Sequence, residues 1–238
     1  MPHKINIPFF IISCEHGGNK IPQAYRAFFK GKKPLLQSHE GFDAGALSLA
    51  RLLAKSLNAP LIGSTISRLL VDLNRSQGHP NFHSAITRQF PQALREEIVT
   101  RYYLPYREAV QNTIRSTTKQ HQPVIHISCH SFTPKRHGQI RKADIGLLYD
   151  PAKTRERKFC LIWQRALKKL NPGLKVRRNY PYRGVSDGFT TFLRTQFNEA
   201  RYLGIELEIN QAQIRHASWP RVRQQVVNGL RIAAYGAS

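Results

Sequence analysis

The chain has 238 residues, 41% of them hydrophobic, which fits a globular protein able to bury the core of one α/β domain or two small ones. Its 37 Lys and Arg against 14 Asp and Glu leave a formal charge of +23, a balance suited to nucleic acid, an anionic surface or an acidic small substrate. No apolar run approaches the ~20 residues of a membrane-spanning helix, and three scattered cysteines, 14, 129 and 160, rule out a disulfide framework.

In chain order, the alternation of apolar runs and amphipathic stretches predicts strands over Ile5–Ser13, Pro60–Thr65, Leu69–Leu73, Val124–Ser128, Ile145–Tyr149 and Tyr202–Ile209. Between them, helical periodicity covers Ala44–Leu57, a long span from Pro91 to Gln120 with Pro105 as a kink or break, Thr154–Leu170 and Trp219–Tyr235. Ser218 before Trp219-Pro220 fits an N-terminal cap followed by a first-turn proline. Short strands separated by helices of this length imply an α/β fold, with a mostly parallel sheet covered on both faces. No repeat, low-complexity segment or linker divides the chain, so a single domain over residues 1–238 is expected. The start, Met-Pro-His-Lys-Ile-Asn, leads into no signal-like segment, and the isolated cysteines fit a reducing compartment, so a cytoplasmic location is expected.

The basic residues fall in Lys30–Lys33, Lys135–Lys142, Lys153–Lys158, Lys168–Arg178 and Arg215–Arg231, a spread that reads first as solvated surface. No helix-turn-helix, zinc-finger, RRM or KH signature accompanies it, so no specific nucleic-acid partner and no membrane partner is expected.

Ionisable residues gather where the predicted strands end. His16 follows the first apolar run and precedes Gly17-Gly18, a pair that lets a chain turn tightly or approach a neighbour closely. Asp43 stands just before a helix, Asp72-Leu73-Asn74-Arg75 follows another apolar run, His130 follows Val124–Ser128, and Glu206 and Glu208 lie in the last strand. Ligands of open α/β sheets bind at the carboxyl ends of strands. Two imidazoles and a carboxylate with an open fourth position form the ligand set of a hydrolytic zinc site, and a further carboxylate can serve as general base. Each residue also has a plainer role. His16, His126 and His130 fit interior hydrogen-bonded histidines, Asp43 fits a helix cap, Asp72 fits a partner for Arg68 or Arg75, and either glutamate fits a salt-bridge partner.

The stretches SCEHGGNKIP at 13–22, GFDAGA at 41–46, SRLLVDLNRS at 67–76, CHSF at 129–132, RGVSDGF at 183–189 and IELEIN at 205–210 come in a fixed order across nearly the whole chain. In that order they resemble the N-formylglutamate amidohydrolase (deformylase) family, and DLNR at 72–75 is more distantly similar to zinc carboxypeptidases and aspartoacylases. The resemblance implies a three-layer α/β/α sandwich around a mixed, mostly parallel sheet (phosphorylase/hydrolase-like) and one catalytic Zn2+ held by His16 and His130. Where the carboxypeptidase-like pattern has a glutamate three residues after the first histidine, this chain has Asn19. Asp43 is therefore expected as the third ligand, with Glu15 in reserve. By the same resemblance Glu208 is the general base, Arg68 polarises the scissile carbonyl, Asn74 and Arg75 grip a substrate carboxylate, and Gly184 and Gly188 let the backbone close round the substrate. His126 is expected outside the site, on the packing side of its strand. The expected activity is hydrolysis of N-formylglutamate or a related small N-acyl amino acid. Two alternatives stay open, a metallo-amidase or peptidase on a larger acidic substrate and a non-catalytic basic protein that binds nucleic acid or anions.

Overall fold

The structure is a computed structural model that describes residues 8–120 and 122–236. Its strands are β1 (Phe9–Cys14), β2 (Leu61–Gly63), β3 (Val124–Phe132), β4 (Lys135–Arg136), β5 (Gln139–Ile140), β6 (Ile145–Leu148), β7 (Val176–Arg178) and β8 (Tyr202–Asn210). Its α-helices are α1 (Lys33–Gln37), α2 (Ala46–Leu57), α3 (Gln92–Ile98), α4 (Leu104–Lys119), α5 (Thr154–Leu170), α6 (Phe189–Gln196), α7 (Gln211–Arg215) and α8 (Trp219–Tyr235). Six strands form one sheet in the order β2-β1-β3-β8-β6-β7, and β4 and β5 form a separate hairpin. Within the large sheet only the β6–β8 pairing is antiparallel. The sheet is therefore mixed and mostly parallel, with helices on both faces, as expected.

Strand periodicity divides the sheet into two unlike faces. Phe10, Ile12 and Cys14 of β1, Ile125, Ile127 and Cys129 of β3, and Leu203, Ile205, Leu207 and Ile209 of β8 pack against α2, α5 and α8 in one continuous apolar core. The other face starts apolar, with Ile11, Val124 and Tyr202 beneath α4 and α6. It turns polar toward the carboxyl ends, where Ser13, His126, Ser128, His130, Glu206 and Glu208 are all buried. In the β3–β8 register His126 pairs with Gly204, Ser128 with Glu206 and His130 with Glu208, so two polar rows run side by side.

The periodicity locates α5 and α8 to the residue, and α2 to within two residues of its start. Residues 5–7 of the first predicted strand lie outside the described residues. The span from Pro91 to Gln120 does not break at Pro105. A π-helical turn, Val99–Tyr103, joins α3 to α4, and Pro105 sits in the first turn of α4, where its missing N–H costs least. Ser218 occupies the N-cap position of α8, but its hydroxyl bonds the His216 ring instead of capping the helix (2.8 Å).

Leu69–Leu73 is not a strand. Its leucines and valine are buried in the core beneath α4, but its backbone turns: Leu70 N–H donates to Ser67 O (3.0 Å), and Asp72 N–H donates to Phe82 O (2.9 Å). A fully buried run carries no periodicity that separates strand from turn. β3 and β8 also run further than expected, to Phe132 and Asn210, so His130 lies inside its strand rather than after it. The short β7 and the threonine-rich α6 escape sequence reading altogether.

One buried ion pair ties α5, α6 and β8 together. Arg194 Nε donates to both Glu156 carboxylate oxygens (2.9 and 3.1 Å), while its two Nη groups donate to Gly184 O and Gly204 O (2.7 Å each). Glu156 in turn accepts the backbone N–H of Asp150 and of Gly204 (2.9 Å each). Removing one partner of such a pair strands the other charge in the interior. Arg194→Ala is therefore expected to lower unfolding stability by about 3–5 kcal/mol, read as a drop in the urea midpoint. A loss below about 1 kcal/mol would show that the pair is no more than a surface-like contact.

Candidate metal centre

His16 stands in the turn after β1, and the two glycines that follow explain the shape of that turn. A Cβ on Gly17 would lie 2.7 Å from Ser64 O, and one on Gly18 would lie 2.6 Å from Thr65 O, so only glycine lets the turn press against the chain leaving β2. Asp43 N–H donates to His16 O (2.9 Å), and Arg68 N–H and the Ser67 hydroxyl both donate to Gly41 O (3.2 and 2.9 Å). These backbone bonds bring three distant segments to the carboxyl end of β3.

There His16, Asp43 and His130 each offer one donor atom, and the three atoms lie within 4.8 Å of one another. Asp43 Oδ2 is 3.0 Å from His130 Nδ1 and 3.4 Å from His16 Nδ1. All three residues are buried. The second nitrogen of each ring meets a different carboxylate. His16 Nε2 is 2.6 Å from Asp72 Oδ1, and His130 Nε2 is 3.2 Å from Glu15 Oε2. Carboxylates behind metal-ligating imidazoles are what orient them and fix their tautomer.

Asp43 does not cap α2. The N-cap is Gly45, and no side chain caps the helix. The Asp43 carboxylate instead faces Arg68 Nη2 (3.0 Å), His39 Nδ1 (3.3 Å) and the two site histidines. Burial pushes its pKa up, but Arg68, His130, His16 and His39 outweigh that and hold it well below the usual range. Burial also works against the charged form of His130, yet its bonds to Asp43 and Glu15 raise it well above the ordinary imidazole value.

Glu15 stands outside the trio. It is wholly buried behind His130, where it accepts hydrogen bonds from Ser13 (2.7 Å), Ser128 (2.6 Å) and Tyr106 (2.9 Å). Asp72 serves His16 rather than an arginine alone, and accepts the N–H of Asn74 as well (3.0 Å). His126 lies outside the trio but shares the site's face of β3. Its ring nitrogens meet Ser13 Oγ and Tyr202 Oη (2.8 Å each), and burial lowers its pKa to about 4.

Arg68 is the cation nearest the cluster, with one Nη group donating to Asp43 and in contact with His16 Nδ1, while its Nε is buried without a partner. A positive group thus already sits against the donors that a metal ion would use. Asn74 Oδ1 accepts the N–H of Phe189 (2.7 Å), capping α6 from across the chain. Arg75 donates to Asp187 O, and its own carbonyl accepts from Tyr103 Oη (2.9 Å). Gly188 adopts extended backbone, and a Cβ there would come within 3.1 Å of Glu206 Oε1. Gly184 packs on the backbone of Tyr149, where a Cβ would lie 2.2 Å from its nitrogen.

The two glutamates of β8 differ. Glu206 accepts from Thr190 Oγ1 (2.7 Å). Glu208 faces His130 across the ladder, is 5% exposed, and has its Oε2 buried without a hydrogen-bond partner. Such an orphaned oxygen is costly, and it fits a residue built to accept a proton from a ligand or water. The donor set, the carboxylates behind both rings and this free oxygen together suit a divalent, imidazole-seeking metal.

Missing from the sequence reading were Glu15 as a buried anchor, Asp72 as the partner of His16, and His39. The period-two spacing of Ser13 with Glu15, and of Ser128 with His130, is the one signal that marks the first of these.

Burial, reinforced by Asp43 and Glu206, pushes the Glu208 carboxyl up to about 8 against the pull of His130 and Arg68. Between its ordinary value of 4.5 and about 8 the folded state thus holds a proton that the unfolded state has lost. Stability of the metal-free protein should fall as pH rises through that window, and Glu208→Gln should remove up to ~5 kcal/mol of the fall in unfolding stability measured by urea across it. Identical pH profiles for the metal-free wild type and variant would contradict the assignment.

The family model for N-formylglutamate amidohydrolases matches residues 9–215. Among solved structures, gene product Atu2144 of Agrobacterium tumefaciens is 28% identical, with a TM-score of 0.77 over 94% of this chain and 90% of that one. An N-formylglutamate amidohydrolase from Ralstonia eutropha shares the fold at 18% identity and a TM-score of 0.70, over 95% of this chain and 93% of its own. A metallo-carboxypeptidase from Burkholderia cenocepacia aligns with 98% of this chain and 57% of its own at 16% identity, and its TM-score of 0.37 gives the likeness no weight. No curated protein matches the chain. Among the described residues no helix is long and apolar enough to cross a membrane. With most of its length matched by one family model, and in the fold of that family's solved member, the chain belongs to the N-formylglutamate amidohydrolase family and is an amidohydrolase.

Proposed function

We propose that this chain, acting as a single domain, is a zinc-dependent hydrolase of N-formylglutamate or a closely related N-acyl amino acid, releasing formate or another acid and the free amino acid. The observation that carries the reading is the buried trio of His16, Asp43 and His130 beside the orphaned Glu208 oxygen.

His16 and His130 would hold the ion through Nδ1, with Asp43 as the carboxylate ligand and Asp72 and Glu15 fixing the two rings from behind. Zinc bound there would supply Lewis acidity toward water and toward the amide carbonyl. Glu208 Oε2 takes the proton of the attacking water and returns it to the leaving amine nitrogen. A carboxyl lifted toward neutral pH by burial is suited to both transfers. Arg68, held beside the cluster by Asp43, donates to the oxyanion that develops on the acyl carbon. Asn74 and Arg75 bind the substrate carboxylate, Arg75 exchanging its contact with Asp187 for the bidentate geometry a guanidinium offers. Gly188 keeps the wall beside Asn74 and Glu206 free of side-chain bulk.

Dialysis against a chelator should abolish amine release from N-formylglutamate, and about one equivalent of zinc should restore it. Glu208→Gln should keep its zinc while kcat falls by roughly 10²–10⁴. Glu206→Gln should act mainly on stability through the lost Thr190 bond. Near-full turnover in the Glu208 variant, with loss in the Glu206 variant at full zinc occupancy, would reverse the two roles.

The carboxylate reading is tested separately. Arg75→Ala should chiefly raise KM for the anionic substrate and cost about 2–4 kcal/mol in kcat/KM. An equal effect on a neutral N-acyl amide would remove Arg75 from carboxylate recognition.

A further inference from the structure

The charge of +23 is not spread evenly over the layers of the fold. The three helices that cover the aliphatic face hold two Lys or Arg on α2, six on α5 and three on α8, against one carboxylate, Glu156. That carboxylate is buried against Arg194. On α5, the Arg155 guanidinium donates to the backbone carbonyls of Glu199 and Ala200 (3.0 and 2.6 Å), and Arg157, Lys158, Arg165, Lys168 and Lys169 are exposed and in no ion pair among the described residues. α8 packs against both α5 and α2, and Arg231 reaches from α8 to Ser56 O at the end of α2, so the three helices make one continuous surface. The helical layer on the opposite face is balanced differently. There Glu96, Glu97 and Glu108 stand against five Lys or Arg in the span from Gln92 to Lys119, and Glu97 pairs with Arg101 (3.1 Å).

The cationic layer also turns a corner. Beside the C-terminal half of α5, a groove of about 560 Å3 runs along the edge strand β7, lined by Gln164, Lys168, Lys175, Arg177 and Arg178 with no carboxylate among its walls. Gln164 donates to Val176 O (2.8 Å), which closes that carbonyl of the edge to a pairing strand and leaves cationic side chains as the groove's chief offering. Arg177 lies over the Tyr180 ring, 5.0 Å from its centre, and Arg178 donates to Tyr149 Oη (3.3 Å), so two of the guanidinium groups are held in place.

His16, Asp43, His130 and Glu208 face the other side of the sheet, so this surface is not a funnel into the hydrolytic site. A substrate of one or two charges needs no such area. We infer that the outer face of α5 and α8, continued into the groove along β7, is a docking surface for the phosphodiester backbone of nucleic acid, bound without regard to sequence. Regularly repeated negative charge is what an uncompensated cationic face matches. A concave channel with anchored arginines suits a strand of phosphates better than a flat bilayer, and sequence readout is not called for where no recognition motif exists.

The test is fluorescence anisotropy of the full chain with a random-sequence duplex of about 24 base pairs, titrated from about 50 to about 200 mM salt. Affinity should fall about 10²-fold over that range, as the release of counterions from about four phosphates requires. The variant Arg165→Gln, Lys168→Gln, Lys169→Gln should weaken binding tenfold or more at about 100 mM salt and flatten the salt slope by up to about three, with hydrolysis unchanged. A control with the same loss of charge on the opposite layer, Arg101→Gln, Arg115→Gln, Lys119→Gln, should weaken binding less than about threefold. Should the α5 variant fail to fold, acetylation of the wild type gives the same answer, with duplex protecting Lys158, Lys168 and Lys169 but not Lys119. Equal weakening by both triple variants, or no salt-dependent binding by the wild type, would overturn the proposal. So would retention on phosphatidylserine vesicles without duplex binding.

Discussion

A carboxylate that is 1% exposed must find its polar partners inside the protein, and Asp43 finds four. Arg68, His39, His16 and His130 all lie within 3.4 Å of its two oxygens. Those four side chains come from the segment before α2, the turn after β1, the turn after β2 and the middle of the sheet. The site therefore exists only when the β1–β3 register is right and the Gly17-Gly18 turn is pressed against residues 64 and 65. Two further carboxylates complete the arrangement by holding the far nitrogens of the histidines. Buried charge of this density is costly, and its retention in so compact a cluster is the physical reason to look for chemistry there.

The sheet makes this possible by keeping its two faces apart. On one face the run of Phe10, Ile12 and Cys14 in β1, Ile125, Ile127 and Cys129 in β3, and Leu203, Ile205, Leu207 and Ile209 in β8 is apolar or thiol and faces α2, α5 and α8. The alternate residues turn from apolar to polar, from Ile11 through Ser13 to Glu15 just past β1 and from Val124 to His126, Ser128 and His130 in β3. Hydrophobic burial on one side thus holds in place a polar network on the other. Glu15 shows how the network is stabilised: burial alone would raise its pKa, and the His130 contact with help from Ser128 keeps it well below the usual carboxylate range.

The parts of this that sequence makes legible are those set by local pattern. α5 and α8 have amphipathic periods that bound them at both ends, and His16 is marked by an apolar run before it and two glycines after it. The stretches shared with one family make Asp43 and Glu208 candidates, although an aspartate before a helix reads equally well as a cap. Pairings across the sheet are another matter. That Asp72 meets His16 rather than only an arginine, and that Glu15 lies behind His130 rather than beside the proposed metal, depends on register and on chain crossings between residues more than fifty positions apart. Leu69–Leu73 reads as a strand because a fully buried run has no period, and only its hydrogen bonds reveal a turn.

The proposed binding of one zinc ion by His16, Asp43 and His130 can be read from a zinc K-edge absorption spectrum of the protein loaded with about one equivalent. The expected spectrum shows two imidazole nitrogens with their outer-ring scattering, oxygen ligands completing the shell at about 2.0–2.2 Å, and no sulfur. A sulfur shell at about 2.3 Å would place the ion at the buried cysteines, and a shell of oxygen alone would leave both histidines without the role assigned to them.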